Sequence, residues 1–213
     1  MTFPDFFEDV PVIRLRDPLA QLLGSATEGI MEYRYADAVR LTGHSCPTVA
    51  GAFLTARAAL NSLYPDTLPE RGSITVRMPS LEDEGTTGVV AQVLALLTGA
   101  AAQGGFKGIG DRFARNGLLS FAKRSGENNG AVRFERLDTG ASVAVVVDAG
   151  KVPADTSQRE RLQAILQNRE TPKQQIEFAR LWQERVRRML LEHADDTTMI
   201  RVVTLNDTIS RDG

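Results

Sequence analysis

Residues 89–102, VVAQVLALLTGAAA, are apolar at almost every position, and this run constrains the fold more than any other. It reads as a helix, and a helix that is apolar all round has to be enclosed, not laid on a surface. Residues 49–64, VAGAFLTARAALNSLY, form a second apolar helical run. Its small residues Ala50, Gly51 and Ala52 let a neighbouring element approach closely. Other elements must cover both helices.

The covering elements can be read from punctuation and period. Asp17-Pro18 predicts an N-cap followed by proline at the first helical position, with PLAQLLGSA as the helix. EGIMEYRYADAVRLTG places Ile30, Tyr33, Ala38 and Leu41 near one helical face and ends at Gly43. SITVRMP alternates as a strand does. LLSFAKR, AVRFERL and SVAVVVD, separated by SGENNG and DTG, predict an antiparallel meander. The chain then turns helical again in DTSQRERLQAILQNR and in TPKQQIEFARLWQERVRRMLLEH, where Phe178, Trp182, Val186 and Leu190 recur at steps of four. IRVVTLND predicts a last short strand and SRDG a frayed end.

The expected class is α+β, with helices flanking a mainly antiparallel sheet and a helical C-terminal extension. Residues 1–150 are expected to form the core domain, and 151–213 an extension packed on that core or on a second copy of the chain. A chain of 213 residues supports one substantial core.

Charge and composition narrow the function. A formal net charge of -2 offers no electrostatic reason to expect nucleic acid, whose binding depends on neutralising phosphates. Arg185, Arg187 and Arg188 are interleaved with acids, which reads as a solvated helix face. No stretch reaches 18 apolar residues and the N-terminus lacks a basic region leading into an apolar run, so no membrane partner and a cytoplasmic location are expected. A single cysteine cannot form an intramolecular disulfide and fits a reducing compartment.

That cysteine sits in LTGHSCPTVAGAF, beside one of the two histidines. Pro47 suits the first turn of the following helix, with Cys46 or Ser45 as the cap, which puts Cys46 at or beside a helix start where unpaired N–H groups favour a thiolate. A thiolate is a nucleophile and a soft metal ligand, and His44 offers an imidazole nitrogen two residues earlier. Taken singly, a buried cysteine and a hydrogen-bonded loop histidine are the ordinary readings; together at a helix start they point to a site. Two ligands do not complete a metal sphere. Glu82, Asp83 and Glu84 follow a predicted strand and offer carboxylates, though an acidic turn is commonly just solvated. Lys107 and Gly108 lie in GGFKGIG, which lacks the order of a phosphate-binding P-loop and reads equally as a tight turn. Tyr33, Tyr35 and Asp37 are candidates to wall a pocket, with core packing as the alternative for the tyrosines; His193 reads as surface, and Trp182 as core or interface.

At Gly43-His44-Ser45-Cys46-Pro47, with Gly51 in the helix after it, the chain resembles the E-subunit family of formylmethanofuran dehydrogenase. LLTGAAAQGGFKGIGDRFARNGLLSF is similar to that family's Leu-Thr-Gly and Gly-Lys-Gly elements, carried here by Thr98, Gly99, Lys107 and Gly108. VRFERLDTGASVAVVV resembles its closing hairpin, so the likeness spans about residues 30–150. The resemblance implies an α+β core, a homodimer, and a metal-binding cleft that uses His44 and Cys46. This chain departs from the pattern at Thr42, where the family has a further histidine, and at Val89 and Ala100, where cysteines are usual. A helical tail stands in place of the zinc finger of some members.

The leading expectation is a metal-binding protein, zinc or iron on His44 and Cys46, that binds or transforms a small ligand, with Lys107 and Gly108 as cofactor-binding candidates. Haem binding with Cys46 or His44 as axial ligand is the first alternative. A metal-free thiol enzyme is another, with Cys46 as nucleophile, His44 as base and Lys107 stabilising an anion. A structural protein that dimerises through its helical tail is the last.

Overall fold

The computed structural model describes residues 3–124 and 127–205. The fold is α+β, and among these residues there are six α-helices and seven strands. A five-stranded sheet has the order β4-β3-β5-β6-β7, formed by Leu119–Ser120, Ile74–Arg77, Val132–Arg136, Ser142–Val147 and Ile200–Leu205. Its pairings are antiparallel except β3 with β4. A separate antiparallel pair joins β1 (Ile13–Arg16) to β2 (Ile30–Tyr33).

Helix α3 (Pro47–Leu63) lies against the sheet, and Val49, Phe53, Leu54 and Leu60 are enclosed. Gly51 faces Val147 of β6, and a Cβ there would stand 3.7 Å away, an ordinary contact, so the packing at this point tolerates alanine as well. Helix α4 (Thr87–Thr98) packs beside α3, with Val93, Leu94 and Leu97 buried. The two apolar runs are thus the centre of the molecule, and truncating Phe53 to alanine would cost about 3–5 kcal/mol. Strands alternate inward and outward, as Ile74 and Val76 do against Thr75 and Arg77.

The tail joins this core. Helix α5 (Gln158–Leu166) is mostly exposed; α6 (Pro172–Arg187) begins with a capping box, Thr171 with Gln174, and runs into a π-helical turn at Arg188–Glu192. Val186, Met189, Leu190 and Ile200 belong to the same buried cluster as Phe53 and Leu60. The chain after residue 151 therefore returns to the core, and its final strand lines the sheet edge along β6.

Three expectations need correcting. EGIMEY is not helical: Glu28 and Gly29 turn the chain with φ of 54° and 72°, and Ile30–Tyr33 pairs with β1. The helix here is shorter, α2 (Tyr35–Thr42), so Leu41 ends up exposed. LLSFAKR gives only the two-residue β4, which runs parallel to β3 and does not join a meander, because loop 99–118 carries the chain back to the outer edge of β3. Finally, α4 stops at Thr98, where Gly99 takes φ 76° and its N–H closes on Ala95, so GAAAQGG lies outside the helix. Part of the SGENNG turn, residues 125–126, and the SRDG end at 210–213 lie outside the described residues.

Candidate functional site

The GHSCP segment is a tight corner between two helices. Gly43 adopts φ 77° and donates to Val39, which ends α2. His44 is exposed, and its Nδ1 lies 3.0 Å from the carbonyl of Thr42. A carbonyl can only accept, so in the neutral ring the proton sits on Nδ1 and the lone pair on Nε2. Cys46 is extended, at φ -151° and ψ 168°, and its carbonyl accepts from Ala50 to start α3. The residue is 8% exposed, belongs to the core cluster and makes no side-chain capping hydrogen bond.

Ser45, between them, is held from two directions. Its carbonyl accepts from Trp182 Nε1 at 3.0 Å and Gln183 Nε2 at 3.2 Å. Its hydroxyl donates to Gln183 Oε1 at 2.9 Å, leaving Tyr35 OH, also at 2.9 Å, as donor to that hydroxyl. Burial pushes the Tyr35 phenol far above its ordinary range, so it stays a neutral donor. Helix α6 therefore fixes the backbone of the motif, a role the apolar spacing of Trp182 did not reveal.

A cavity of about 290 Å³ opens at the starts of α3 and α4. Pro47, Thr48 and Gly51 line it from α3, Thr86 and Thr87 from α4, and Val145 from the sheet. Pro47 has no N–H and the Thr87 N–H donates to the Glu84 carbonyl at 3.1 Å, so only the other first-turn N–H groups of the two helices lack an acceptor within their own helix. Thr55 Oγ is already spent on the Gly51 carbonyl at 2.8 Å. Cys46 directly precedes the first lining residue, so the motif adjoins this cavity in sequence. Glu82, Asp83 and Glu84 lead into α4, with the Glu82 carbonyl close to Gly88, and are not among the lining residues.

Lys107 and Gly108 stand apart from this cavity. Lys107 is exposed in loop 99–118, and neither residue is among those lining the space at α3. Asp37 is spent on α2: Oδ2 accepts from the Arg34 N–H at 2.8 Å and Oδ1 from Arg40 at 2.6 Å. Tyr33 lies under the Arg71 guanidinium, 5.6 Å from its carbon. His193 pairs with Asp196 at 2.8 Å. The tail arginines are engaged too: Arg185 donates to the carbonyls of Ala149 and Val152, Arg188 to Pro153, and Arg187 to Glu184 and Glu192.

Sequence reasoning saw Asp17 only as a cap. Its Oδ1 does accept from Leu19 and Ala20 N–H, but the carboxylate of this residue, 3% exposed, also takes Arg115 Nη2 at 2.8 Å and Arg71 Nη1 at 2.9 Å. These partners lie 98 and 54 positions away, so no local pattern could have announced them.

Among the described residues no group of three or more His, Cys, Asp or Glu side chains is placed to hold a metal ion, and no helix is long and apolar enough to cross a membrane. Compared with known proteins, the chain matches no family model and no curated sequence.

Proposed function

We propose that this chain binds a small ligand in the cavity at the starts of α3 and α4, with His44 and Cys46 donating to a transition metal, zinc or iron, at the same helix end. The observation that carries the reading is the Nδ1 contact of His44 with the Thr42 carbonyl, which leaves Nε2 as an exposed donor atom. Metal-binding histidines commonly have their other ring nitrogen fixed this way. The donor set fits a mixed nitrogen and sulfur site, for which zinc and iron are both suited. Two donors from one chain leave positions for water, ligand or a second copy, and a metal with an open position supplies Lewis acidity. The chain's own contribution is to hold Ser45 by α6, and so limit the freedom of the two flanking donors, and to exclude bulk water from Cys46.

A homodimer belongs to this reading: Leu166 and Ile176 are 73% and 72% exposed, one at the end of α5 and the other in the first half of α6. So does a cytoplasmic setting, which an unpaired cysteine fits.

Metal analysis of purified protein beside His44→Ala and Cys46→Ala tests the assignment. Stoichiometric metal that falls in both variants supports it; unchanged metal in both overturns it. Haem titration and iodoacetamide labelling of the same three proteins separate the alternatives. A Soret band lost in both variants assigns haem, and rapid thiol alkylation of metal-free protein assigns a thiol enzyme.

A further inference from the structure

A second cavity, of about 530 Å³, opens between the β1–α1 junction, the turn before β3 and loop 99–118. Four arginines line it: Arg16, Arg71, Arg112 and Arg115. Glu70 is in its wall and Asp17 lies against Arg71 and Arg115, so four positive charges face two negative ones. Glu70 accepts from the Ser73 hydroxyl, also in the wall, at 2.6 Å, and Asp17 is shared between two guanidinium groups.

Arg115 is the decisive residue. It is 7% exposed, its Nη2 is held by Asp17, and its Nη1 is buried without a hydrogen-bond partner. The guanidinium fills the space that a Cβ on Gly72 would take and passes 2.9 Å from where one would stand on Gly99. Leaving a charged donor unpaired in the interior forfeits its hydration without return, so this N–H calls for an acceptor beside it. Two exposed arginines stand at the same cavity. Arg16 gives Nη2 to Gln21 Oε1 at 2.9 Å, and Arg112 lies over the Phe113 ring, so both keep further N–H donors for a guest.

We infer that this cavity binds the oxyanion group of a small molecule, a phosphate or a carboxylate. Arg115 is the buried anchor, and Arg112 and Arg16 clamp the group from the rim. Guanidinium forks match the paired oxygens of both headgroups, and the volume suits a small molecule. The site is separate from the cavity at α3 and does not depend on its metal.

Calorimetric titration of the full chain at low ionic strength, with inorganic phosphate and with succinate as separate probes, tests this. Arg16→Gln, Arg112→Gln and the double variant run alongside, with unchanged urea midpoints confirming that they fold. The expected result is saturable binding of one probe or both by the unaltered chain, weakened about tenfold by each substitution. Which probe binds identifies the headgroup. No saturable binding of either, or binding that the double variant keeps at full strength, overturns the inference.

Discussion

Replacing Asp17 by alanine removes two cap bonds and two ion pairs at once. Losing the cap costs about 1 kcal/mol. Stranding Arg115, whose side chain is only 8% exposed, costs about 3–5 kcal/mol, since breaking a buried pair leaves a charge with neither water nor partner. Arg71 keeps the Leu96 carbonyl and adds little. The sum, about 4–6 kcal/mol, is a large part of the 5–15 kcal/mol that holds a typical domain together. Urea denaturation reads it as a lower midpoint at unchanged slope, and heating as a fall of at least about 8 °C. Asp17→Asn keeps an acceptor for α1 and should fall between the two proteins. Arg115→Met in the Asp17→Ala background should recover part of the loss, because an apolar side chain needs no counter-charge. A loss under about 1 kcal/mol for Asp17→Ala would refute the reasoning, since it would mean that Arg115 is hydrated where it stands. Acid gives a second reading. Burial pushes the Asp17 carboxyl up, but the Ala20 N–H and the Arg71 and Arg115 guanidinium groups outweigh it and hold the group below its ordinary 3.8. Its stabilisation is therefore full above that value and is lost as pH falls through the lower folded one.

Gly72→Ala, at φ 86° and against the Arg115 guanidinium, should destabilise by more than about 2 kcal/mol, measured by chemical denaturation. Trp182→Phe removes the N–H that grips Ser45; a loss of about 1 kcal/mol is expected, with faster hydrogen exchange confined to the His44–Cys46 corner. Thr171→Ala should cost about 1 kcal/mol through the α6 cap, and an unchanged urea midpoint would show that the cap is not formed in solution. Asp196, whose carboxyl is lowered to about 2 by His193 and Thr198, should lend stability that is full above 3.8 and vanishes towards pH 2; the melting difference between the chain and Asp196→Ala should close over that window.

Elements with a local chemical cause were legible. Asp17-Pro18 and Thr171-Pro172 start helices for the reasons their residue types suggest, and the two apolar runs are buried because nothing else could satisfy them. EGIMEY misled because a short stretch with apolar Ile30, Met31 and Tyr33 fits a helix face or a strand equally, and only the pairing with β1 decides. β4 misled because the strand it pairs with, β3, lies far back along the chain, across α4 and loop 99–118. At the candidate site, the helix start and Pro47 could be anticipated from the motif, whereas the grip of Trp182 and Gln183 on Ser45 joins positions 137 and 138 residues apart. The arginine cavity was invisible for the same reason: its walls come from three distant stretches of chain.

The hold of α6 on Ser45 also sets an order of events in biosynthesis. Trp182, which fastens the His44–Cys46 corner, is made 137 residues after the serine it grips. Throughout that interval the Ser45 carbonyl lacks the two donors that later fix it, and the corner is completed only when α6 docks. The relative setting of His44 and Cys46 about Ser45 is therefore fixed late, after the strands and helices that form most of the core have been made.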